Sequence, residues 1–331
     1  MAGLGAAFAR GHLPALQLLG SENGFELVAA ADPNASQRAA AAVWLPGVPV
    51  FGDAEEMLAT VRSDLLVVAS EPGAHALLAL LGARYGQHVL CEKPLTLARG
   101  QHDLLAASFA QRAELALIAV HQYRYSRSWQ PIARWARILD RLGVPFELAV
   151  DVQRNGTDRH AETPWRADIG ASGGMLADHG VHFLALAWTI SSDLRVLGGA
   201  RAWDRERLEH SGATVRFGSG TLTLHVCAGA PTRRTDVELR AAGCVLGWRD
   251  SSAHVAAGGR TLGRWRVAAL SDRRHVDELY VPLYRDVAAG LCDGSWRRQR
   301  TSEALAVGSA LVSLLELTGD HAAAQDHAAV R

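Results

Sequence analysis

The chain has 331 residues, of which 49% are hydrophobic and 21% are charged. These fractions are close to those of soluble globular proteins, so they exclude a disordered or collagen-like chain. The length is sufficient for two ordinary domains or one large one. Lysine plus arginine and aspartate plus glutamate number 34 each, so no net charge attracts nucleic acid or an anionic membrane, and we expect neither as a partner.

The cysteine pattern and the length of the apolar runs indicate the cellular compartment. The four cysteines form no Cys-x-x-Cys pair, which predicts neither a disulfide framework nor a zinc module; they are Cys91, Cys227, Cys244 and Cys292. The 14 histidines show no metal-ligand spacing, so we predict no metal site. No apolar run reaches about 18 residues and no signal-peptide pattern is present, so we expect a cytoplasmic protein without a transmembrane helix.

Lys93 is the only lysine among the 34 basic residues. Codon bias in a GC-rich genome explains the arginine excess, and the abundant alanine agrees with it. A lysine retained under such bias is a candidate for proton exchange near neutral pH, which a guanidinium does not perform. Chance survival is the alternative, so the composition indicates only that Lys93 is the residue to examine.

In the first third of the chain, apolar runs alternate with alanine-rich stretches at helical spacing. This pattern predicts a parallel sheet with crossover helices. The predicted strands are 25–31, 65–70, 88–91 and 115–120, and the predicted helices are 33–44, 54–61 and 74–85.

After residue 120 the pattern changes to a few helices and many alternating strands. Helices are predicted over 129–142, 176–190 and 302–317, and strands over 146–154, 213–217, 221–227, 236–240, 244–248 and 265–269. Gly218-Ser219-Gly220 marks a hairpin turn. We therefore predict a dinucleotide-binding domain over 1–120 and a second domain over 121–331, with the last helix a candidate to pack back on the first domain.

A dinucleotide-binding turn is predicted at Gly3-Leu4-Gly5, immediately before a helical stretch, and Asp32 ends the next predicted strand. Glycines permit a tight turn close to pyrophosphate, and the acidic residue binds the ribose. Gly-rich turns are common, so the βαβ context carries the assignment. Gly3, Gly5, Ala6, Phe8 and Asp32 are the candidate cofactor-binding residues.

Two features depart from the usual dinucleotide fingerprint. Phe8 stands where a third small residue is usual, so Ala9 is a candidate to serve in a turn that is one residue longer. Only two residues precede Gly3, so we expect a truncated first strand. Asp32 favours NAD over NADP, because a 2′-phosphate would meet its negative charge.

The strongest motifs lie around Lys93 and in the second domain. They are Ser70-Glu71-Pro72 with His75, Glu92-Lys93-Pro94, Gln122-x-Arg124-Tyr125, Trp165-Arg166-Ala167-Asp168, Gly173-Gly174-Met175-Leu176-x-Asp178-x-Gly180-x-His182 and Thr301-Ser302-Glu303-Ala304-Leu305. Together they resemble the Gfo/Idh/MocA family of oxidoreductases over nearly the whole chain. Ser70-Glu71-Pro72 replaces the family's Thr-Pro-Pro and leaves Glu71 unexplained, and Gln122 replaces an asparagine.

The resemblance implies an α/β fold, with an N-terminal Rossmann domain and a C-terminal α/β domain built on a large, mostly antiparallel open sheet. It implies NAD(P), a sugar, cyclitol or sugar derivative as substrate, and a homodimer or homotetramer formed through the open sheet. Carried over by motif, the catalytic residues are Lys93, Asp178 and His182. Ser70, Pro72, His75, Glu92 and Gln122 join the cofactor set, and Arg124, Trp165, Arg166 and His179 the substrate set.

The residue types support this chemistry without the resemblance. Asp178 and His182 are four residues apart, so on an α-helix they share one face, where a carboxylate can orient the imidazole. The hypothesis is that His182 takes the proton of a substrate hydroxyl while Lys93 stabilises the charge on the same oxygen. The alternatives are a surface Asp–His hydrogen bond and an exposed turn lysine.

Several other assignments stay open at this point. Trp165 is equally compatible with ordinary packing, and His179 with solvent exposure. The clusters Arg233-Arg234 and Arg297-Arg298-x-Arg300 are read as solvated surface, with a substrate phosphate as the alternative. The rival to an enzyme is a non-catalytic regulatory or scaffold relative that binds the cofactor; joint retention of Lys93, Asp178 and His182 argues against it.

Overall fold

The computed structural model describes residues 1–20, 24–155, 165, 168–203, 209–249, 251–267 and 276–328. The chain divides into two compact units. The first comprises Met1–Gln122 and Arg274–Gly308, and the second comprises Tyr123–Arg273 and Ser309–Arg331. The predicted division places the boundary near residue 120 and assigns everything after it to the second domain, so the two divisions differ over residues 274–308.

Short strands alternate with helices in the first unit. The strands are β1 (Ala30–Ala31), β2 (Val50–Phe51), β3 (Leu65–Val68), β4 (His88–Cys91) and β5 (Leu117–Ala119). The helices are α1 (Leu13–Leu19), which follows a π-helical turn over Phe8–His12, α2 (Ala35–Trp44), α3 (Ala54–Thr60), α4 (Pro72–Arg84) and α5 (Arg99–Ala110).

The backbone of Ala2 joins two groups of parallel strands. β1 pairs with β2, and β3, β4 and β5 form a second group. Ala2 makes parallel bridges to both Ala31 and Val68, which gives the order β2–β1–Ala2–β3–β4–β5. This is the strand order of a Rossmann fold. The first strand, expected to be truncated, pairs here through a single bridging residue.

Among its described residues up to 267, the second unit holds three helices and eight strands. The helices are α6 (Trp129–Arg141), α7 (Ile169–Ser172) and α8 (Val181–Trp188), which follows a π-helical turn over Leu176–Gly180. The strands are β6 (Phe146–Gln153), β7 (Leu194–Trp203), β8 (Glu209–Phe217), β9 (Gly220–Cys227), β10 (Arg234–Ala241), β11 (Cys244–Arg249), β12 (Ser252–Ala257) and β13 (Arg260–Arg266). A 3-10 turn, Gln122–Tyr125, lies at the division between the units.

The eight strands form one mixed sheet in the order β13–β12–β11–β10–β6–β9–β8–β7. All neighbours are antiparallel except β6 and β9, which are parallel. Burial alternates strictly along β6, where Leu148, Val150 and Val152 face the core. The predicted fold class, a parallel Rossmann domain followed by a large, mostly antiparallel sheet with helices, is therefore confirmed.

The C-terminal stretch is helical where it is described. A π-helical turn, Val276–Tyr280, leads into α9 (Val281–Gly290), and α10 (Gly294–Ala328) follows. By length and composition, Gly294–Gly319 is apolar enough to cross a membrane, and half of this window is buried within the protein. Buried core helices meet the same criterion, so this is weak evidence for a membrane span.

Strand boundaries are where the sequence was least informative. The strand predicted over 25–31 contains only β1, and the Phe25 ring packs edge-on against Tyr284, with ring centroids 5.1 Å apart. The strand predicted over 265–269 is the end of the earlier β13, and residues 268–269 lie outside the described part of the chain.

Helix α4 packs directly on the parallel sheet through Gly82. A Cβ atom at this position would lie 2.8 Å from Leu66 Cδ2 and 3.0 Å from Val89 Cγ2. Both of these residues are buried in the core, so neither can move aside without disturbing its neighbours. Glycine thus sets the distance between helix and sheet here.

We expect Gly82→Ala to be less stable than the matched variant Gly73→Ala by about 1–3 kcal/mol, because only the former overpacks the core. Gly73 is on the same helix, and a Cβ there would meet nothing within 4 Å. Urea unfolding followed by far-ultraviolet circular dichroism measures the difference. Equal stability of the two variants would contradict the proposed contact.

Candidate active site

The predicted dinucleotide turn is held in a conformation that requires glycine. Gly3 has φ +94°, and a Cβ there would lie 2.5 Å from Ala69 C and Ser70 N. The Leu4 N–H donates to Asp32 Oδ2 at 2.8 Å, and the Asn34 N–H donates to Oδ1 at 2.8 Å. Asp32 therefore braces the turn from the end of β1, and its carboxylate is only half-buried.

The open side of the turn is formed by Gly5 and Ala6. A Cβ at Gly5 would meet nothing within 4 Å, and the helix that begins at the exposed Ala6 points its first N–H groups toward this space. Phe8, by contrast, is fully buried and packs near Trp44, with ring centroids 6.5 Å apart. The Phe8 ring is thus a core side chain, and the expected place of this residue in the cofactor set stays a prediction.

His75 links the loops that follow β3 and β4. Its Nδ1 lies 2.7 Å from the Pro94 carbonyl oxygen and its Nε2 lies 3.0 Å from the Ser70 carbonyl oxygen. Burial lowers the pKa of His75 despite these two carbonyls, so the neutral ring has one N–H to donate. His75 thus connects two loops from a buried position, and its expected contact with the cofactor stays a prediction.

Other members of the expected cofactor set lie near these loops. Pro72 is buried at the first position of α4, and Ser70 is half-buried, its Oγ donating to the Glu71 carbonyl oxygen at 3.2 Å. Glu71, unexplained by the motif, is the exposed N-cap residue of α4. Gln122 is buried.

Lys93 follows β4 in a turn supported by a buried carboxylate. Lys93 is half-buried, whereas Glu92 is only 5% exposed. Glu92 Oε1 accepts a hydrogen bond from Tyr280 Oη at 2.7 Å and lies 3.2 Å from His12 Nε2. Glu92 Oε2 accepts from the Lys93 N–H at 3.2 Å. Glu92 thus belongs to a buried polar cluster, and its expected contact with the cofactor stays a prediction.

Asp178, His179 and His182 lie on one continuous helix of the second unit. Asp178 and His179 are in the π-helical turn, and His182 is in α8. The Asp178 carboxylate lies 3.6 Å from His179 Nε2. The buried His182 ring stacks on Tyr123, with centroids 4.1 Å apart and planes 10° apart. Such π-helical turns occur frequently at functional sites.

The start of this helix is anchored by a buried ion pair. Glu209 Oε2 accepts from the Met175 N–H at 2.9 Å, and Glu209 Oε1 lies 3.2 Å from Arg201 Nε. Arg201 also donates to the Gly173 carbonyl oxygen at 2.9 Å. Gly174 has φ +69°, and a Cβ there would lie 2.6 Å from Glu209 Oε2. A carboxylate therefore occupies the helix N-terminus, where negative charge is favourable.

The expected substrate residues are only partly described. Arg124 is half-buried, with its guanidinium 5.8 Å from the centre of the Tyr125 ring, and Trp165 is half-buried. Arg166 lies outside the described residues. Lys93 belongs to the first unit, and Asp178 and His182 belong to the second.

Arginines of both basic clusters make protein contacts. Arg234 Nε lies 3.0 Å from Asp236 Oδ2. Arg300 contacts Asp286 at 2.8 Å and Glu303 at 2.9 Å, and Arg297 donates to the Leu291 carbonyl oxygen at 2.7 Å. These contacts favour a structural role over phosphate binding. Among the described residues, no group of three or more His, Cys, Asp or Glu side chains is arranged to hold a metal ion.

Sequence reasoning missed the residues that support the site. His12, Tyr280, Arg201 and Glu209 belong to none of the motifs. A single histidine six residues after Ala6 and isolated tyrosines carry no periodic signal, because their partners are distant in sequence: Tyr280 and Glu92 are 188 residues apart.

Residues 1–119 match the model of an oxidoreductase family with an NAD-binding Rossmann fold, GFO_IDH_MocA. Over these residues the chain is similar to the Gfo/Idh/MocA oxidoreductase family. Glucose-6-phosphate 3-dehydrogenase of Bacillus subtilis is 29% identical over 182 residues, which cover 54% of this chain and 50% of that protein. The uncharacterized oxidoreductase C115.03 of Schizosaccharomyces pombe is 29% identical over 52% of this chain and 46% of its own length. The chain thus spans about half the length of the curated relatives it matches.

Two solved structures share the fold over at least 96% of the chain. A dehydrogenase from Chromobacterium violaceum superposes with a TM-score of 0.76 at 17% identity, covering 100% of this chain and 97% of that one. KijD10, a 3-ketoreductase from Actinomadura kijaniata in complex with NADP and TDP-benzene, also gives 0.76, at 21% identity and 96% coverage of each chain. At these identities the likeness shows the fold.

We expect Glu209→Ala to lower the free energy of unfolding by about 3–5 kcal/mol, because it leaves Arg201 buried without its carboxylate. The matched control is Glu55→Ala, which removes the partner of Arg84 from a pair whose side chains are 51% and 70% exposed. That control is expected to cost at most about 1 kcal/mol. Denaturant unfolding of both variants tests the difference, and similar losses would contradict the assigned role of Glu209.

Proposed function

We propose that the protein is an NAD(P)-dependent oxidoreductase that transfers a hydride between nicotinamide and a secondary alcohol or ketone of a sugar, cyclitol or sugar derivative. The observation that carries the proposal is Lys93 at the carboxyl end of β4 in a Gfo/Idh/MocA Rossmann domain. Ligands of open α/β sheets bind outside this edge. The names of two relatives, a glucose-6-phosphate 3-dehydrogenase and a 3-ketoreductase, support the sugar class.

The residues of the first unit fit a dinucleotide. The space beside Gly5 is open, the helix beginning at Ala6 offers its N-terminus to a pyrophosphate, and Asp32 offers a carboxylate to ribose hydroxyls. When bound, the nicotinamide ring accepts or donates the hydride. We favour NAD because of the charge of Asp32, with NADP, present in the KijD10 complex, as the competing choice.

The chain's own residues handle the substrate oxygen and its proton. In oxidation, His182 takes the hydroxyl proton as the carbinol C–H bond breaks, and Asp178 stabilises the resulting imidazolium. Lys93 donates a hydrogen bond to the same oxygen and stabilises the negative charge that develops on it. In reduction the roles reverse, and His182 returns the proton.

The proposed assembly is a homodimer or homotetramer formed through the open face of the eight-stranded sheet. That face carries the polar members of the alternating strands, among them Thr221, Thr223 and His225 of β9. It adjoins a cleft of about 860 Å³ lined by residues that include Arg216, Arg240 and Phe146.

We expect wild-type protein to bind NADH more tightly than NADPH, and Asp32→Asn to reverse or abolish this preference by weakening NADH binding about tenfold. Asparagine keeps an oxygen for the Leu4 N–H but loses the charge. Nicotinamide fluorescence titration measures both affinities, with the exposed Asp103→Asn as the control. Tighter NADPH binding by the wild type would overturn the NAD assignment.

We expect Lys93→Met and His182→Asn each to lower kcat/KM by about 100-fold or more, since each removes a group that acts on the substrate oxygen. Cofactor affinity should change little. The assay follows nicotinamide absorbance with glucose 6-phosphate, free hexoses and cyclitols, and His254→Asn is the control. Full turnover in either variant contradicts the mechanism; cofactor binding without turnover of any substrate by the wild type supports a regulatory or scaffold function.

A further inference from the structure

The carboxylate of Glu92 lies inside a polar cluster built from three segments of the first unit. Tyr280 Oη donates to Glu92 Oε1 at 2.7 Å, and His12 Nε2 lies 3.2 Å from the same oxygen. On its other side, His12 Nδ1 lies 2.8 Å from Tyr284 Oη. His12 and Tyr284 are fully buried, and the side chain of Glu92 is nearly so.

The cluster is packed as well as hydrogen-bonded. The His12 ring meets Tyr280 and Tyr284 edge-on, at centroid distances of 5.1 Å and 5.9 Å. A Cβ at Gly11 would lie 2.6 Å from Tyr280 Cζ, so glycine is what lets this ring pass the helix and reach Glu92. The arrangement is therefore specific to these residues, because a larger residue at position 11 would displace the tyrosine.

Glu92 carries a negative charge in this cluster. Burial raises its pKa, but the hydrogen bonds from His12 and Tyr280 and the charges of His12 and Lys93 outweigh burial and hold the pKa below its usual value. Cys91, His75 and Tyr284 also interact electrostatically with this carboxylate, whose negative charge favours the protonated form of each. Burial raises the pKa of both Cys91 and Tyr284, so both stay neutral.

We propose that Glu92 is the positioning residue of Lys93. Its buried carboxylate, fixed by Tyr280 and His12, holds the Lys93 backbone through the Oε2 contact and puts a buried negative charge on the residue that directly precedes the lysine. Through His12, which precedes α1, the same cluster connects the Lys93 turn to the helix that starts at the dinucleotide turn. This inference rests on the proposed function, in which Lys93 acts on the substrate oxygen.

The chain offers an unusual handle for testing this, because Lys93 is its only lysine. An amine-reactive acyl ester therefore labels Lys93 and the N-terminal amine alone, and peptide mass spectrometry separates the two. The rate of Lys93 acylation across a pH series reports how readily its ammonium loses a proton. This readout requires no substrate, so it remains valid if the proposed reaction is wrong.

We expect Glu92→Gln to accelerate Lys93 acylation at neutral pH by about threefold or more, because removal of the neighbouring charge favours the neutral amine. Tyr280→Phe should have a smaller effect, and Tyr284→Phe the smallest, since Tyr284 reaches Glu92 only through His12. The tyrosine variants keep the test decisive if Glu92→Gln fails to fold. Tyr85→Phe, outside the cluster, is the matched control and should label like the wild type.

Measurements of NAD(P)H affinity and of turnover distinguish a Glu92 that positions Lys93 from a Glu92 that binds the cofactor. We expect Glu92→Gln to bind NAD(P)H within about threefold of the wild type and, on any substrate found, to lower kcat at least about tenfold with little change in substrate KM. Unchanged acylation in Glu92→Gln and in both cluster tyrosine variants overturns the proposal. Loss of NAD(P)H binding with unchanged acylation also overturns it and assigns Glu92 to the cofactor.

Discussion

A carboxylate taken out of water must be paired and hydrogen-bonded, and this constraint organises the candidate site residues within each unit. In the first unit Glu92 meets it with Tyr280, His12 and the Lys93 backbone. In the second unit Glu209 meets it with Arg201 and the N–H of Met175. In each case the buried charge is attached to the segment that presents the proposed reactive groups, so the position of those groups is set by partners that do not themselves react.

Glycine stands at several positions in these segments because a neighbouring group lies so close to the backbone that a side chain would not fit. Gly3 lets the dinucleotide turn touch the backbone of Ala69 and Ser70, and Gly11 admits the Tyr280 ring. Gly174 leaves room for the Glu209 carboxylate and adopts a positive φ. Gly174 of the signature Gly173-Gly174 is therefore required in this chain, because the helix that carries Asp178 and His182 begins against the Glu209 carboxylate.

The features that the sequence predicted are those that depend on local pattern and on composition. The change from βα alternation to consecutive strands indicated two domains, the resemblance implied the fold class, and Lys93 stood out because it is the only lysine. Phe8 was assigned to the cofactor because the fingerprint counts positions, whereas in this chain a π-helical turn begins there and the ring points into the core. The pairs Glu92–Tyr280 and Arg201–Glu209 were missed because tertiary contacts between single residues leave no periodic signal. The site residues themselves remain predictions that the experiments above test.

The Asp32 side chain both supports the dinucleotide turn and is the proposed recognition group for the cofactor. Both of its oxygens accept backbone N–H groups, from Leu4 and Asn34, before any ligand is considered. A carboxylate oxygen has more than one lone pair, so each can also accept a ribose hydroxyl. A change of cofactor preference through this position therefore requires a residue that still accepts from Leu4, which asparagine does and alanine does not. On this geometry, the same side chain at position 32 both maintains the turn and selects the cofactor, so neither property can be changed without regard to the other.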